Sequence, residues 1–536
     1  MRKLMTFRGK SPRERGFVLM VMVFGMMLIL STVGLGVDAG VAYVVRTRLQ
    51  AAVDASALAA ARSLNTSLTT AQQISDASAV GTNFFNGNFP PAIFNTASST
   101  VGISSAYGTT SSTLNTFYIT ADGATMAPTY FMKLFSQNRF RVTARATASR
   151  RDINVILVLD RSGSMNTTQA GTGQTACTIM KNSASSFVDL FSNNRDTLGL
   201  VVFNIGSSVA FAPASNFNAG MKAAISSLSC AGGTSPSNGL NRAYSQLQAL
   251  GNPGKLNVIV LFTDGQANAL TADFPVKMQS DTRYSAPNGS SPTTVAASPC
   301  KDAAGKVYGQ AGWNPFKIGD ANAGATNNTM RGAMAPGGNP DATGWTYGLF
   351  SYNDIAESNL LPSSTACAQT TASGLSGLSY ARQDIAYIPA TDFFGNATQG
   401  YRTDYDFTTG VRTSGQDTFA SGHPYAGEIR PDSPRAMYNA GFNTTEDQGV
   451  RIRNDSTLNP MICTIGLGGN AGLPADAEML IRLANVASGV SSTGTTINNT
   501  IYDSSRPSGN YVYAPTASQL SSAFMQVASF VAELAY

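Results

Sequence analysis

Residues 155–165 read VILVLDRSGSM, five apolar residues and then three oxygen-bearing side chains at alternate positions, Asp160, Ser162 and Ser164. A short unbroken apolar run suits a strand buried on both faces. Oxygen side chains at its carboxyl end suit a binding site, because ligands of open parallel sheets sit beyond that edge.

Downstream, the pattern predicts a helix over about 175–191, a strand TLGLVVFN at 197–204, helices over about 219–228 and 236–250, and a strand NVIVLFT at 257–263. Apolar strands alternating with amphipathic helices imply a parallel sheet covered on both faces, an α/β fold. Asp264 follows the second of these strands in FTDG, and Thr234 in GGTS opens a loop before a helix. Asp160, Ser162, Ser164, Thr234 and Asp264 are therefore expected at one edge of the sheet. Two carboxylates and three hydroxyls are hard donors, suited to Mg2+, with Ca2+ or Mn2+ as alternatives, rather than to zinc or copper. The carboxylates offset the charge of a divalent ion. Neutral hydroxyls add coordination and leave it able to attract an acidic group from a partner.

A further strand, MICTIGLGG at 461–469, precedes a helix over 474–487, a short strand near 511–513 and a last helix over 514–535. Residues 266–430 then form an insertion after the FTDG strand, on the face of the expected metal. Its aromatics, among them Trp313, Trp345, Tyr347, Phe350, Tyr352, Phe393, Phe394, Tyr401 and Tyr405, argue against a disordered linker. A recognition cap and a locally packed elaboration are both open.

The N-terminus has a different character. Gly16–Val37 are 22 consecutive uncharged residues, enough to cross a bilayer core as one helix. Arg2, Lys3, Arg8, Lys10, Arg13 and Arg15 against Glu14 give this end +5, which is the whole net charge of the 536-residue chain. Residues 1–15 are thus expected in the cytoplasm and everything beyond Asp38 on the far side. No basic surface remains for nucleic acid. With His423 the only histidine, His-based catalysis or a His-ligated zinc is not expected. Beyond the span, Val41, Val45, Leu49 and Val53 recur every four positions, so the helix is expected to continue through 38–65. Residues 66–150 offer strands around Val101 and Ile103, at 114–121 and at 140–148, with a helix over Ala127–Phe135, as a small α+β module.

The segment RGF, the apolar span and VDAGVAYVVRTRLQAAVDASALAAARSL resembles the N-terminal part of the TadE/TadG-like proteins of bacterial tight-adherence (Flp) pilus systems, with NFFNGNFP at 83–90 and PTYFMKLF at 128–135 as weaker echoes. The resemblance implies a pilin-like module and other pilus-system components as partners. Pilin-like members carry a glutamate five residues after the processing glycine; Val21 stands there, which weakens the expectation of prepilin-peptidase cleavage.

The ordered set D-x-S-x-S, threonine 70 residues on and aspartate 30 further resembles the metal-ion-dependent adhesion site (MIDAS) of von Willebrand factor A domains. All five positions match. The resemblance implies an A domain over 151–536, hydroxyls binding the cation directly, aspartates often through water, and a carboxylate from a protein or surface ligand completing the sphere.

Cysteines beyond the membrane can pair. Cys177 and Cys230 both fall near the metal edge and Cys300 and Cys367 inside the insertion, so those pairs are predicted, although five cysteines permit other connectivities. Cys463, inside an apolar strand, reads as a buried free thiol. The favoured function is a non-enzymatic, single-pass inner-membrane component of a tight-adherence pilus, its bulk periplasmic, with export to the cell surface left open. The alternatives are a non-pilus envelope adhesin or scaffold with the same metal chemistry, and a metal-assisted hydrolase. For the last, no nucleophile is paired with a base and no Gly-rich phosphate loop precedes a lysine.

Overall fold

The computed structural model describes residues 12–63, 70–107, 116–169, 171–193 and 195–275. Between 276 and 385 it describes only 283–284, 294–295, 329–336 and 347–350, and from 386 to 534 it omits 403–404, 407–410, 413–416, 423–424, 432–433, 469–473 and 492. Cys300, Cys367, His423, the basic residues through Lys10 and most of the insertion's aromatic side chains lie outside the described residues. The chain divides into two compact units, residues 1–151 and 152–535.

In the first unit, α1 (Pro12–Arg62) is one uninterrupted helix of 51 residues, about 75 Å long at the usual rise. It is long and apolar enough to cross a membrane. Its two halves differ in what they touch. From Phe17 to Val37 nearly every large apolar side chain is exposed, whereas Val45, Leu49 and Val53 are fully buried. They pack with Phe85 of α2 (Thr70–Asn88), with Phe89 just beyond its end, and with Ala121 and Val142 of an antiparallel sheet. That sheet has β2 (Thr116–Pro128) between β1 (Ala97–Tyr107) and β3 (Arg139–Arg151). Gly123 lies under the helix, where a Cβ would collide with Val53.

Two local expectations change here. Ala127–Phe135 is not a helix: Ala127 and Pro128 end β2, paired with Phe140 and Arg139, and only Met132–Phe135 forms a 3-10 turn. Pairing with β3 wins over the local helical pattern. Conversely α2 has little helix propensity, with two glycines and three asparagines, and is held by burial of Ala77, Phe85 and Phe89.

The second unit is a six-stranded sheet flanked by helices. Its strands are β4 (Ile153–Asp160), β5 (Thr197–Phe203), β6 (Ser207–Ala214), β7 (Leu256–Thr263), then, after the insertion, Met461–Leu467 and Tyr511–Ala514. The order across the sheet places Tyr511–Ala514 at one edge, then Met461–Leu467, β7, β4, β5 and β6. All neighbours are parallel except β6, which turns back antiparallel on β5. The purely parallel expectation is corrected by this half-exposed edge strand. Central β4 is buried along its whole length. Val155, Leu157 and Leu159 meet Phe187 of α3 (Ala176–Val188), Ile225 of α4 (Asn218–Ser227) and Phe524. Ile156 and Val158 face the other way, with Leu240 and Leu247 of α5 (Pro236–Leu250).

The chain leaves β7 into an antiparallel sheet of β8 (Leu270–Pro275), β9 (Thr329–Pro336) and β10 (Tyr347–Phe350), with β9 in the middle. It returns through residues 386–402 to α6 (Pro434–Arg453), a helix the sequence pattern does not reveal. Its buried residues include Asn439, Asn443, Thr444, Thr445, Glu446 and Gln448, so it has no clear apolar stripe. Asn443 accepts from the amides of Tyr401 (3.0 Å) and Arg402 (2.6 Å) and donates to the carbonyls of Thr398 (2.9 Å) and Arg402 (2.8 Å). Arg402 in turn pairs with Glu446 (3.1 Å) and Asp476 (2.6 Å), and Arg482 with Glu446 (2.7 Å) and Glu478 (2.6 Å). These bonds fasten the returning insertion to α6 and to the helix α7 (Ala477–Leu483).

Removing one partner of a buried ion pair strands the other's charge. Arg402→Ala should therefore lower unfolding free energy by about 3–5 kcal/mol, measured by urea denaturation.

Candidate metal centre

β4 and β7 are hydrogen-bonded neighbours with Leu159 opposite Phe262, so Asp160 and Thr263 end the two strands side by side and Asp264 follows. The Thr263 hydroxyl donates to Asp160 Oδ2 (2.5 Å), and the Ser162 amide to Asp160 Oδ1 (2.7 Å). Ser162 is extended and opens a 3-10 turn, Gly163–Asn166, which brings its Oγ to 3.0 Å from Ser164 Oγ. Ser164 Oγ donates to Asp264 Oδ1 (2.7 Å). Thr234 is brought to the same place: a Cβ on Gly265 would stand 3.5 Å from Ser164 Oγ and 3.7 Å from Thr234 Oγ1. Asp160, Ser162, Thr234 and Asp264 are buried and Ser164 is partly open.

The loop carrying Thr234 is fastened to several other segments. The Gly163 amide donates to Gly232 O (2.7 Å) and the Ala231 amide to Arg161 O (2.7 Å). Asn166 Nδ2 reaches Cys230 O (2.5 Å). Cys177 and Cys230 form a disulfide that closes a loop of 53 residues, worth about 4 kcal/mol in the chain-entropy account. Cys463 is a buried free thiol. Asn204 Nδ2 donates to Ala231 O (2.9 Å). Asn268 accepts from the Thr234 amide (2.7 Å), while the amides of Asn268 and Ala269 donate back to Thr234 O (2.9 and 3.1 Å). Thr263, Asn166, Asn204 and Asn268 thus position the five oxygen-bearing residues. Their spacing in sequence carries no signal of it, since each acts across a fold contact.

The insertion reaches this edge. Ala333 and Ala335 of β9 pack with Ile205 and Ala269, and a Cβ on Gly233 would lie 3.2 Å from Ala335 Cβ.

The donor set fits a hard divalent cation. Asp264 Oδ2 is buried and accepts no hydrogen bond among the described residues, a costly state for a carboxylate oxygen that a cation would relieve. Among the described residues no three His, Cys, Asp or Glu side chains stand close enough to hold a metal, so a cation here depends on the hydroxyls. Burial pushes the Asp160 carboxyl up to about 6, against the pull of bonds from Thr263 and Ser162. Burial, and then the charge of Asp160, pushes Asp264 up to about 8.

With this geometry in hand, residues 155–266 match the family model of the von Willebrand factor type A domain. Residues 16–63 match that of the Flp pilus-assembly TadE/G-like family. The second unit is therefore built on a von Willebrand factor A domain. The chain joins that domain to a TadE/G-like N-terminal segment of Flp pilus assembly. No curated protein matches the chain in sequence. Among solved structures, the PilB minor pilin from Streptococcus sanguinis is similar at 13% identity, with a TM-score of 0.32 over 83% of this chain and 80% of its own. The pilus adhesin SpaC from Lactobacillus rhamnosus GG, in its open conformation, is similar at 11% identity and a TM-score of 0.33 over 81% of this chain and 34% of its own. The vWF domain of the type V pili tip protein Mfa5 from Porphyromonas gingivalis is similar at 14% identity and a TM-score of 0.32 over 73% of this chain and 98% of its own.

Both carboxyls hold protons in the folded chain at pH values where the unfolded chain, near 3.8, has lost them. That contribution to stability is complete below about pH 4 and is lost as the pH rises through 6 and then 8. In chelator, the unfolding temperature by calorimetry should fall across this interval. Asp264→Asn removes one of the two repelling charges and should flatten the fall.

Proposed function

We propose that this chain is a single-pass membrane component of a tight-adherence pilus whose A domain binds a carboxylate of a partner protein or surface through a divalent cation, Mg2+ by preference. Asp160, Ser162, Ser164, Thr234 and Asp264 would hold the ion as a MIDAS. The observation that carries the reading is the convergence of two buried carboxylates with the serine hydroxyls, one carboxylate oxygen being left without a donor. Bound there, the ion would supply a positive centre able to take an oxygen from an acidic group. Asp160 and Asp264 offset its charge, and the hydroxyls contribute lone pairs without adding charge. Thr263 and Asn268 keep their neighbours in place before the ion arrives. The role is binding and not catalysis.

The apolar half of α1 supports anchoring, and the basic residues before it favour a cytoplasmic N-terminus and a periplasmic bulk. Protease added to spheroplasts should then digest the A domain; protection would reverse the orientation.

Calorimetric titration of the full chain with Mg2+ should show one site, tighter at pH 8 than at pH 6 because binding displaces protons from the two aspartates. Asp160→Ala should abolish it, and undiminished binding would defeat the assignment. Cells lacking the gene should lack filaments, whereas normal filaments with lost adhesion would favour an adhesin outside pilus assembly.

A further inference from the structure

Where α1 leaves its apolar half, the first unit presents an apolar rim that none of its described residues covers. Leu134 and Phe135 are 81% and 71% exposed, and Tyr130 is 57% exposed. Their position along α1 is set by two residues one helical turn apart on the same face. Asp38 accepts hydrogen bonds from the amides of Tyr130 (2.7 Å), Phe131 (3.1 Å) and Met132 (2.8 Å). Gly34 receives the Phe131 ring so closely that a Cβ there would collide with it. Gly34 lies inside the uncharged stretch that ends at Val37, about 4–5 Å from its end. The loop is thus pulled down alongside the part of the helix whose other side chains face outward as apolar groups.

A second feature adjoins the same level. Phe94, 43% exposed, stands in a left-handed conformation (φ 52°) that favours glycine. With Tyr130 and with Val37, Gly40, Val41 and Val44 of α1 it lines an open cleft of about 410 Å3. The charge that the loop itself carries is one-sided, with the Asp38 carboxylate of α1 lying against it. Residues 126–141 contain Lys133, Arg139 and Arg141 and no acidic residue. Aromatic rings, exposed leucine and a flanking lysine or arginine make up the composition of a bilayer interface.

We infer that the rim formed by Tyr130–Phe135 and Phe94 is immersed in the lipid interface beside α1, with acyl chains as its occupant and Lys133 reaching the headgroups. The helix is then held to its module at the membrane surface by lipid contacts on two elements, with Asp38 as the clasp between them. This rests on α1 being the membrane span, and the test separates the two claims.

In full-length protein with Trp313 and Trp345 replaced by phenylalanine, one tryptophan is introduced at a time as Leu134→Trp, Phe24→Trp or Ser104→Trp. Each variant is reconstituted into vesicles of phosphatidylcholine and phosphatidylglycerol, with plain or brominated acyl chains. The inference expects the emission from positions 134 and 24 to be largely lost in brominated lipid and that from exposed Ser104, within β1, to be kept. Quenching at 24 without quenching at 134 would overturn the immersed rim while leaving the span intact. No quenching at either position would overturn both. A blue-shifted, unquenched emission at 134 would mean that protein, such as a second copy of this chain, covers the rim, and would also overturn it.

Discussion

Two carboxylates buried side by side, with one oxygen left unbonded, are the constraint around which the A domain is arranged. Asp160 and Asp264 arrive together because β4 and β7 are adjacent parallel strands that end in register. Burial raises both above the ordinary carboxylate range, and the charge of Asp160 adds to the rise at Asp264. Such a pair is unfavourable without a proton or a cation, and it persists because the packed sheet beneath it leaves the strand ends no freedom to part. The hydroxyls of Thr263 and Ser164 moderate the cost without removing it.

The loops above the sheet are secured independently of any ion. A disulfide, the backbone bonds between residues 161–163 and 231–232, and the clamp of Asn268 on Thr234 hold the second loop against the first. A site assembled in advance loses little conformational entropy on binding. The insertion belongs to this arrangement at both ends. Outgoing β8 and central β9 lie against the loops, and the returning segment is tied through Arg402 and Asn443 to a helix with a polar buried face. Buried polar groups of this kind specify one arrangement, since any shift leaves several of them unpaired.

The N-terminal unit answers a different problem, that one helix meets two surroundings. From Phe17 to Val37 its apolar side chains turn outward on all sides, and from Val45 onward a stripe of small and branched residues packs on a sheet. Ala52, Ala57 and Ala60 keep the contact close, and Gly123 removes the side chain that would hold helix and strand apart. At the junction Asp38 satisfies three backbone amides that the turn at 130–132 leaves without helical or strand partners.

The apolar runs at 153–160 and 256–263, the helices between them, the uncharged span and the D-x-S-x-S spacing were all legible in the sequence. Each is a local pattern whose period or length follows from backbone geometry. The same reading misjudged Ala127–Phe135, because pairing between β2 and β3 is decided by a partner strand and not by nearby residues. It missed α2, whose buried Ala77 and Phe85 stand among glycines and asparagines, and α6, whose buried Tyr438 and Phe442 are interleaved with buried asparagine, threonine and glutamate, so that neither shows a clear apolar stripe. Tertiary structure alone decided which groups support the five oxygen-bearing residues. Thr263 reaches Asp160 across 103 positions, and Asn268 grips Thr234 across 34. Hydrogen bonds between distant segments exist only once the chain has packed, so composition and periodicity, which are local, carry no trace of them.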